Sequence, residues 1–126
     1  MSAQSAIFNA DYDANGTGTF TIASGYDITS TDNQSINITA NDIDIYNLGA
    51  ISSGTGSTTI AVSDSGTIGL GGTSGNMTIT GAELSRITAG TLNIGDSSAG
   101  NITVDGISAA NSNNAVSYTH LRAHET

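Results

Sequence analysis

No proline, cysteine, lysine or tryptophan occurs in this 126-residue chain, and each absence narrows what it can be. Without proline, no strand is confined to a sheet edge by a missing N–H, which fits a sheet of mostly central strands. Without cysteine there is neither a disulfide framework nor a thiolate metal site. Two arginines stand against eleven acidic residues, giving a net charge of −9. Release of counter-ions from phosphate therefore cannot drive binding, so nucleic acid is not an expected partner and anionic membrane surfaces are disfavoured. Aromatic residues make up 5% of the chain and apolar residues 37%, lean for a rounded globule. No stretch approaches a membrane span, so membrane insertion is not expected. Residues 2–10 lack the basic region and apolar run of a secretory signal, so Met1 reads as internal to a longer protein.

What is present is isoleucine, fifteen of them, set among Thr, Ser, Asn and Gly. Ile is β-branched and stiff at χ1, which suits a pleated strand, and the small polar residues suit tight turns. The alternation is explicit. Phe20 and Ile22 alternate with Thr19 and Thr21, Ile36 and Ile38 with Asn37 and Thr39, and Ile43 and Ile45 with Asp42 and Asp44. Each run predicts a half-buried strand. Ile7 with Phe8, and Tyr26 with Ile28, predict two more.

The chain also repeats itself. Gly66 to Gly71 reads Gly-Thr-Ile-Gly-Leu-Gly, and 24 positions later Gly90 to Gly95 reads Gly-Thr-Leu-Asn-Ile-Gly. Gly75 to Ile79 is answered 25 positions later by Gly100 to Val104. Ile36 and Ile38 map at 24 onto Ile60 and Val62, and Ile43 and Ile45 map at 25 onto Ile68 and Leu70. The loop from Ser52 to Ser57 holds no apolar residue and is the natural handover from one unit to the next. A fixed period in this range marks stacked structural units. With short alternating strands, no helix signal and no proline, the period predicts an all-β chain. The expected fold is a right-handed parallel β-helix (β-solenoid) of about 24–25 residues per coil and four to five coils, with Ile ladders inside. A propeller blade would need about 40 residues or more and aromatics that this chain lacks. The expected organisation is an irregular segment or partial coil over 1–19, repeats over 20–108, a loop over 109–115 and a foreign tail over 116–126.

That tail breaks the composition abruptly, with both histidines and one of the two arginines. Val116 to Thr126 resembles the translation of a transposase adapter used in preparing sequencing libraries. In that reading frame the preceding codon must encode Ser, Pro, Thr or Ala, and residue 115 is Ala115. The resemblance implies a non-native sequence, so the spacing of His120 and His124, which on a helix would offer half of a zinc site, is not taken as one. Without the tail the charge is still −9 and Arg86 is the remaining cation.

Three further patterns carry possible chemistry. Asp11, Asp13, Asn15 and Gly16 form the opening of a calcium loop, but position 12 of that loop is Ile22 where a bidentate Glu is required, so a turn rich in Asp, Asn and Gly is the expected reading. Asp42, Asp44, Asp64, Glu83 and Arg86 are the groups from which a carboxylate-based glycan-cleaving site would be built. No aromatic platform accompanies them in sequence, and Glu83 with Arg86 reads as a surface contact. Outward Thr78 over Thr103 would form a threonine ladder, interrupted by Asn76 and Asn101. No catalytic, cofactor-binding or metal-ligating residue is assigned.

From Ile36 through Ile107 the chain resembles the repeat shaft of the filamentous haemagglutinin-like large exoproteins, the surface adhesins of two-partner secretion. The resemblance lies in Asn37 to Ile45, in Thr67 to Gly72, in Ala82 to Ile87 (Ala-Glu-Leu-Ser-Arg-Ile) and in Leu92 to Val104. It implies a non-enzymatic stalk or scaffold segment of a large bacterial adhesin, secreted or displayed on the outer cell surface. Its partners would be flanking coils of the same chain and, through parts not present here, host-surface or neighbouring-cell receptors or glycans. The second reading is a fragment of a β-helical polysaccharide lyase or hydrolase.

The alternation makes a prediction of direction. Met77, Ile79, Ile102 and Val104 point inward and stack one repeat apart, whereas Thr78 and Thr103 point outward. Met77→Asp therefore unfolds its unit while Thr78→Asp is tolerated. Equal losses of stability in chemical denaturation would show that the faces are assigned wrongly.

Overall fold

The computed structural model of the chain describes residues 6–96, 99–108, 115–118 and 121–125. Alternating residues form its strands. They are β1 (Ala6–Asn9), β2 (Thr19–Ile22), β3 (Asp27–Thr29), β4 (Ile36–Ala40), β5 (Asp42–Ile45), β6 (Ala50–Ser52), β7 (Ser57–Val62), β8 (Ile68–Gly71) and β9 (Met77–Ile79). A short helix, α1 (Gly81–Leu84), precedes β10 (Ile87–Thr88), β11 (Thr91–Ile94), β12 (Ile102–Asp105), β13 (Ala115–Tyr118) and β14 (Leu121–Glu125). The chain is mostly β, as the alternation predicts. In β4, Ile36, Ile38 and Ala40 are buried and the residues between them half-buried; β5 repeats the pattern with Ile43 and Ile45.

Every sheet pairing among the described residues is parallel. One sheet runs β1-β4-β7-β11-β13. A second position along the chain supplies the pair β2-β5 and the sheet β9-β8-β12-β14, and a third supplies β3-β6-β10. The chain visits these in the same order on each pass, β1 to β3, then β4 to β6, then β7 to β10. Like strands therefore stack on like, and the interior fills with rows such as Phe8, Ile38, Ile60 and Ile94, or Ile28, Ile51 and Ile87. Each fully buried aliphatic contributes roughly 1.5–3 kcal/mol. Phe8 and Phe20 meet at 5.3 Å between ring centres and flank this interior.

The passes are uneven where a fixed period of 24–25 is expected: β11 to β13 keeps 24, with Thr91 beside Ala115, but β1 to β4 takes 30, with Ala6 beside Ile36. β4 advances to β7 by an offset of 22 in sequence number, with Ile36 beside Thr58, and β2 to β5 by 23, with Thr19 beside Asp42. β7 advances to β11, and β8 to β12, by 34, with Ser57 beside Thr91 and Ile68 beside Ile102. The expected stacks of Ile36 on Ile60, Met77 on Ile102 and Thr78 on Thr103 do not form. Ile38 faces Ile60, and Gly69 lies between Thr78 and Thr103. The register of the first stack puts Thr58 in an interior slot beside Ile36, where its hydroxyl meets that of Ser53 at 2.8 Å, both residues being fully buried. Met77, Ile79 and Ile102 do point inward, and Val104 is partly buried against the same core.

The longer third pass contains an inserted strand. β9 pairs in parallel with β8 although only residues 72–76 separate them, so the chain must double back. It does so over the outer side of β8 at Gly69, where a Cβ would lie 2.4 Å from Thr73 O and 2.6 Å from Ser74 C. Thr67 and Asn76 clamp the crossing. Thr67 N donates to Asn76 Oδ1 at 2.9 Å and Asn76 N donates to Thr67 Oγ1 at 3.1 Å. The expected 109–115 loop lies outside the described residues except Ala115, which opens β13. In the tail, the backbone of β14 over Leu121–Glu125 is extended, so the helix on which His120 and His124 would share a face is not formed there, and His120 itself lies outside the described residues.

Gly69→Ala should cost about 1–3 kcal/mol or more, since backbone, not a flexible side chain, fills the space. Gly72→Ala, in the same loop but with nothing nearer than Asp105 Oδ2 at 3.7 Å, should stay within about 0.5 kcal/mol. Urea denaturation of both variants measures the difference, and matching midpoints would place the crossing elsewhere.

Candidate functional site

The insertion creates a problem at β5. Its first edge pairs with β2, but among the described residues no backbone ladder joins its other edge to the neighbouring β9. Side chains supply the missing partners. Thr78 N donates to Asp42 Oδ1 at 2.9 Å, and the same oxygen caps Ile43 N at 2.9 Å. Further along, Ile45 N donates to Glu83 Oε2 at 2.8 Å, while Arg86 Nη1 donates to Ile45 O at 2.7 Å. Glu83 and Arg86 thus bind the two backbone groups of one residue, as a paired strand would.

Local sequence explains how they reach it. Thr80 is the N-cap of α1 and Glu83 its third residue, and the two form a capping box: Glu83 N donates to Thr80 Oγ1 at 3.1 Å and Thr80 N donates to Glu83 Oε1 at 3.0 Å. Leu84, fully buried, anchors the turn to the core. The Thr-x-x-Glu spacing from Thr80 to Glu83 is the sequence signal for this helix, and the expectation of no helix passes over it. The expected Glu83 to Arg86 surface contact is corrected likewise, since Glu83 is only 8% exposed and serves backbone groups with both oxygens. A charged acceptor of this kind is worth about 1.5–3 kcal/mol per hydrogen bond.

These elements border a cleft of about 380 Å³ whose polar and aromatic lining is Asp42, Asp44, Tyr46, Asn47, Thr78, Thr80, Glu83 and Arg86. Of the five charged residues singled out in the sequence, four therefore meet; Asp64 does not, and sits in a turn with φ of 55°. Tyr46 is the residue that sequence reasoning missed. It follows β5 directly and is half exposed at the cleft, but nothing in the linear order links it to Thr78 or Arg86. Thr78 lines the same cleft, so Thr78→Asp adds a fourth carboxylate beside Asp42, Asp44 and Glu83 and is not neutral, though milder than Met77→Asp.

The Asp11 loop lies elsewhere. Asp11 is buried, and its oxygens accept from Asn15 N at 3.1 Å, Gly16 N at 3.2 Å and Ser63 Oγ at 2.6 Å. Asn15 Nδ2 in turn donates to Asp13 Oδ2 at 2.8 Å. The loop is therefore closed on itself and pinned to the end of β7, beyond the intervening β4. Among the described residues no group of three acidic or imidazole side chains has the geometry to hold a metal ion. The Ser63 hydroxyl, followed by the loop N–H groups, holds the Asp11 carboxyl below the usual carboxylate value against the opposing effect of burial.

No protein-family model, curated protein or solved structure matches this chain.

Because the carboxyl of Asp11 is held down in the folded state, its contribution to stability is present above the unfolded value of about 4 and disappears as pH falls through the lower folded value. Thermal melting between neutral and acid pH should show this loss, and Asp11→Asn should be less stable at neutral pH with a flatter acid limb. An unchanged limb in Asp11→Asn would assign the acid sensitivity to other carboxylates.

Proposed function

We propose that this chain is a segment of a right-handed parallel β-helix acting as a structural shaft. In this reading it belongs to a large secreted or surface-displayed bacterial adhesin of the filamentous haemagglutinin-like kind. The observation that supports the reading most is the order of strands: three sheet positions, all parallel, visited in the same sequence on successive passes. Such stacking buries a continuous aliphatic interior and makes a stiff, extendable body. The use of charge supports it too. Glu83 and Arg86, the carboxylate and the base that a glycan-cleaving reading would recruit, both serve the backbone of Ile45.

NMR contacts between residues paired across passes test the stacking, and a turnover screen tests the alternative. Nuclear Overhauser effects linking Ile38 with Ile60 and Ile51 with Ile87, together with no cleavage of pectin-like or other acidic polysaccharides, are expected. Turnover that Asp42→Ala or Asp44→Ala abolishes would replace the shaft by a β-helical lyase or hydrolase, and absence of those inter-pass contacts in the folded protein would remove the β-helix.

A further inference from the structure

We infer that the cleft between β5, β9 and α1 is a binding site for an uncharged pyranose, the terminal or branch sugar of a neutral glycan. Such a site does not depend on the parent protein being an adhesin.

The volume, about 380 Å³, falls in the range of small-ligand sites, roughly 300–1,000 Å³. Its lining has the mixture that a sugar needs. A pyranose ring presents one apolar face of C–H groups and a rim of hydroxyls, each both donor and acceptor. Tyr46, 49% exposed and part of the lining, is the aromatic side chain available for the first. For the second, the protein's own demands leave groups unspent. Among the described residues nothing donates to the Asp44 carboxylate, and Asp42 uses only Oδ1. Arg86 spends Nη1 on Ile45 O and keeps its other donors. The hydroxyl of Thr78, on the opposite wall, is a further donor and acceptor.

Rigidity favours the same conclusion. The walls are fixed by the Asp42–Thr78 bond on one side and by the Glu83 and Arg86 bonds to Ile45 on the other. Little ordering cost therefore remains to be met on binding.

Charge selects among sugars. Asp42 and Asp44 face the cleft with Arg86, and Glu83 is occupied by backbone donors. Three carboxylates, of which Asp42 and Asp44 still have oxygens to spare, against one guanidinium repel a uronic or sialic acid and accept hydrogen bonds from neutral hydroxyls.

The test is saturation-transfer NMR on the full chain with the methyl glycosides of glucose, galactose and mannose, and with sodium galacturonate. At least one neutral glycoside should receive saturation, strongest on its ring C–H protons, and galacturonate should bind about tenfold more weakly or not at all. Tyr46→Ala and Asp44→Asn should each lower affinity by about tenfold, the factor set by losing one good contact. Tyr12→Ala, a substitution at a 90% exposed aromatic outside the cleft, should change nothing. Far-UV circular dichroism of each variant separates lost binding from lost fold, and a glycoside-induced shift of the Tyr46 ring resonances in unmodified protein gives a readout that needs no variant. The site is refuted if no neutral glycoside binds, if Tyr46→Ala retains full affinity, or if galacturonate binds as tightly as the neutral sugars.

Discussion

A buried backbone amide must find a partner, and in this chain that rule decides more than any single side chain. An aliphatic interior made of short parallel strands removes N–H and C=O groups from water along every strand, and the neighbouring pass ordinarily answers them. Where β9 is inserted beside β5, that answer fails. Asp42, Glu83 and Arg86 replace it, holding Thr78 N and both backbone groups of Ile45. Among the described residues no buried side-chain nitrogen or oxygen lacks a partner, so the repair is complete on the side-chain side as well.

The same rule governs the polar residues inside. Ser53 and Thr58 are fully buried, yet each hydroxyl meets the other, so a threonine can stand between Ile36 and Leu92 in an aliphatic row at small cost. Asp11 is buried with three donors around its carboxylate, one of them from Ser63, which ties the first pass to the third. These contacts are why residues that look like surface chemistry, an aspartate in a calcium-like motif or an opposed Glu and Arg, prove to be fasteners.

Once the backbone is satisfied, what remains unspent is informative. Asp44, the second oxygen of Asp42 and the exposed ring of Tyr46 hold nothing in place, and they converge on the cleft that the inserted strand opens. A third pass with the shorter spacing of β4 to β7 would have no room for β9, and with it no such cleft. The insertion therefore both interrupts the repeat and gives the surface its chemistry.

Much of the architecture was legible in the residues themselves. The alternation of Ile with Asn, Thr and Asp in 36–45 determined strands and their inward faces, because side chains of a strand point to opposite sides with period two. The absence of proline agreed with strands paired on both sides. The pass length was not legible. Gly66 to Gly71 and Gly90 to Gly95 look alike because any short strand between two tight turns asks for the same residues, yet one is β8 and the other β11, in different sheets. The glycine corners kept the true record: Gly90 N bonds Gly56 O and Gly100 N bonds Gly66 O, both at the same offset that sets β11 against β7. Only the tertiary structure decided that the chain crosses itself at Gly69, and that Asp42, Tyr46, Thr78 and Arg86 share one cleft. Local sequence specifies which face a residue presents; which pass lies against which is set by backbone hydrogen bonds and core volume between segments distant in the chain.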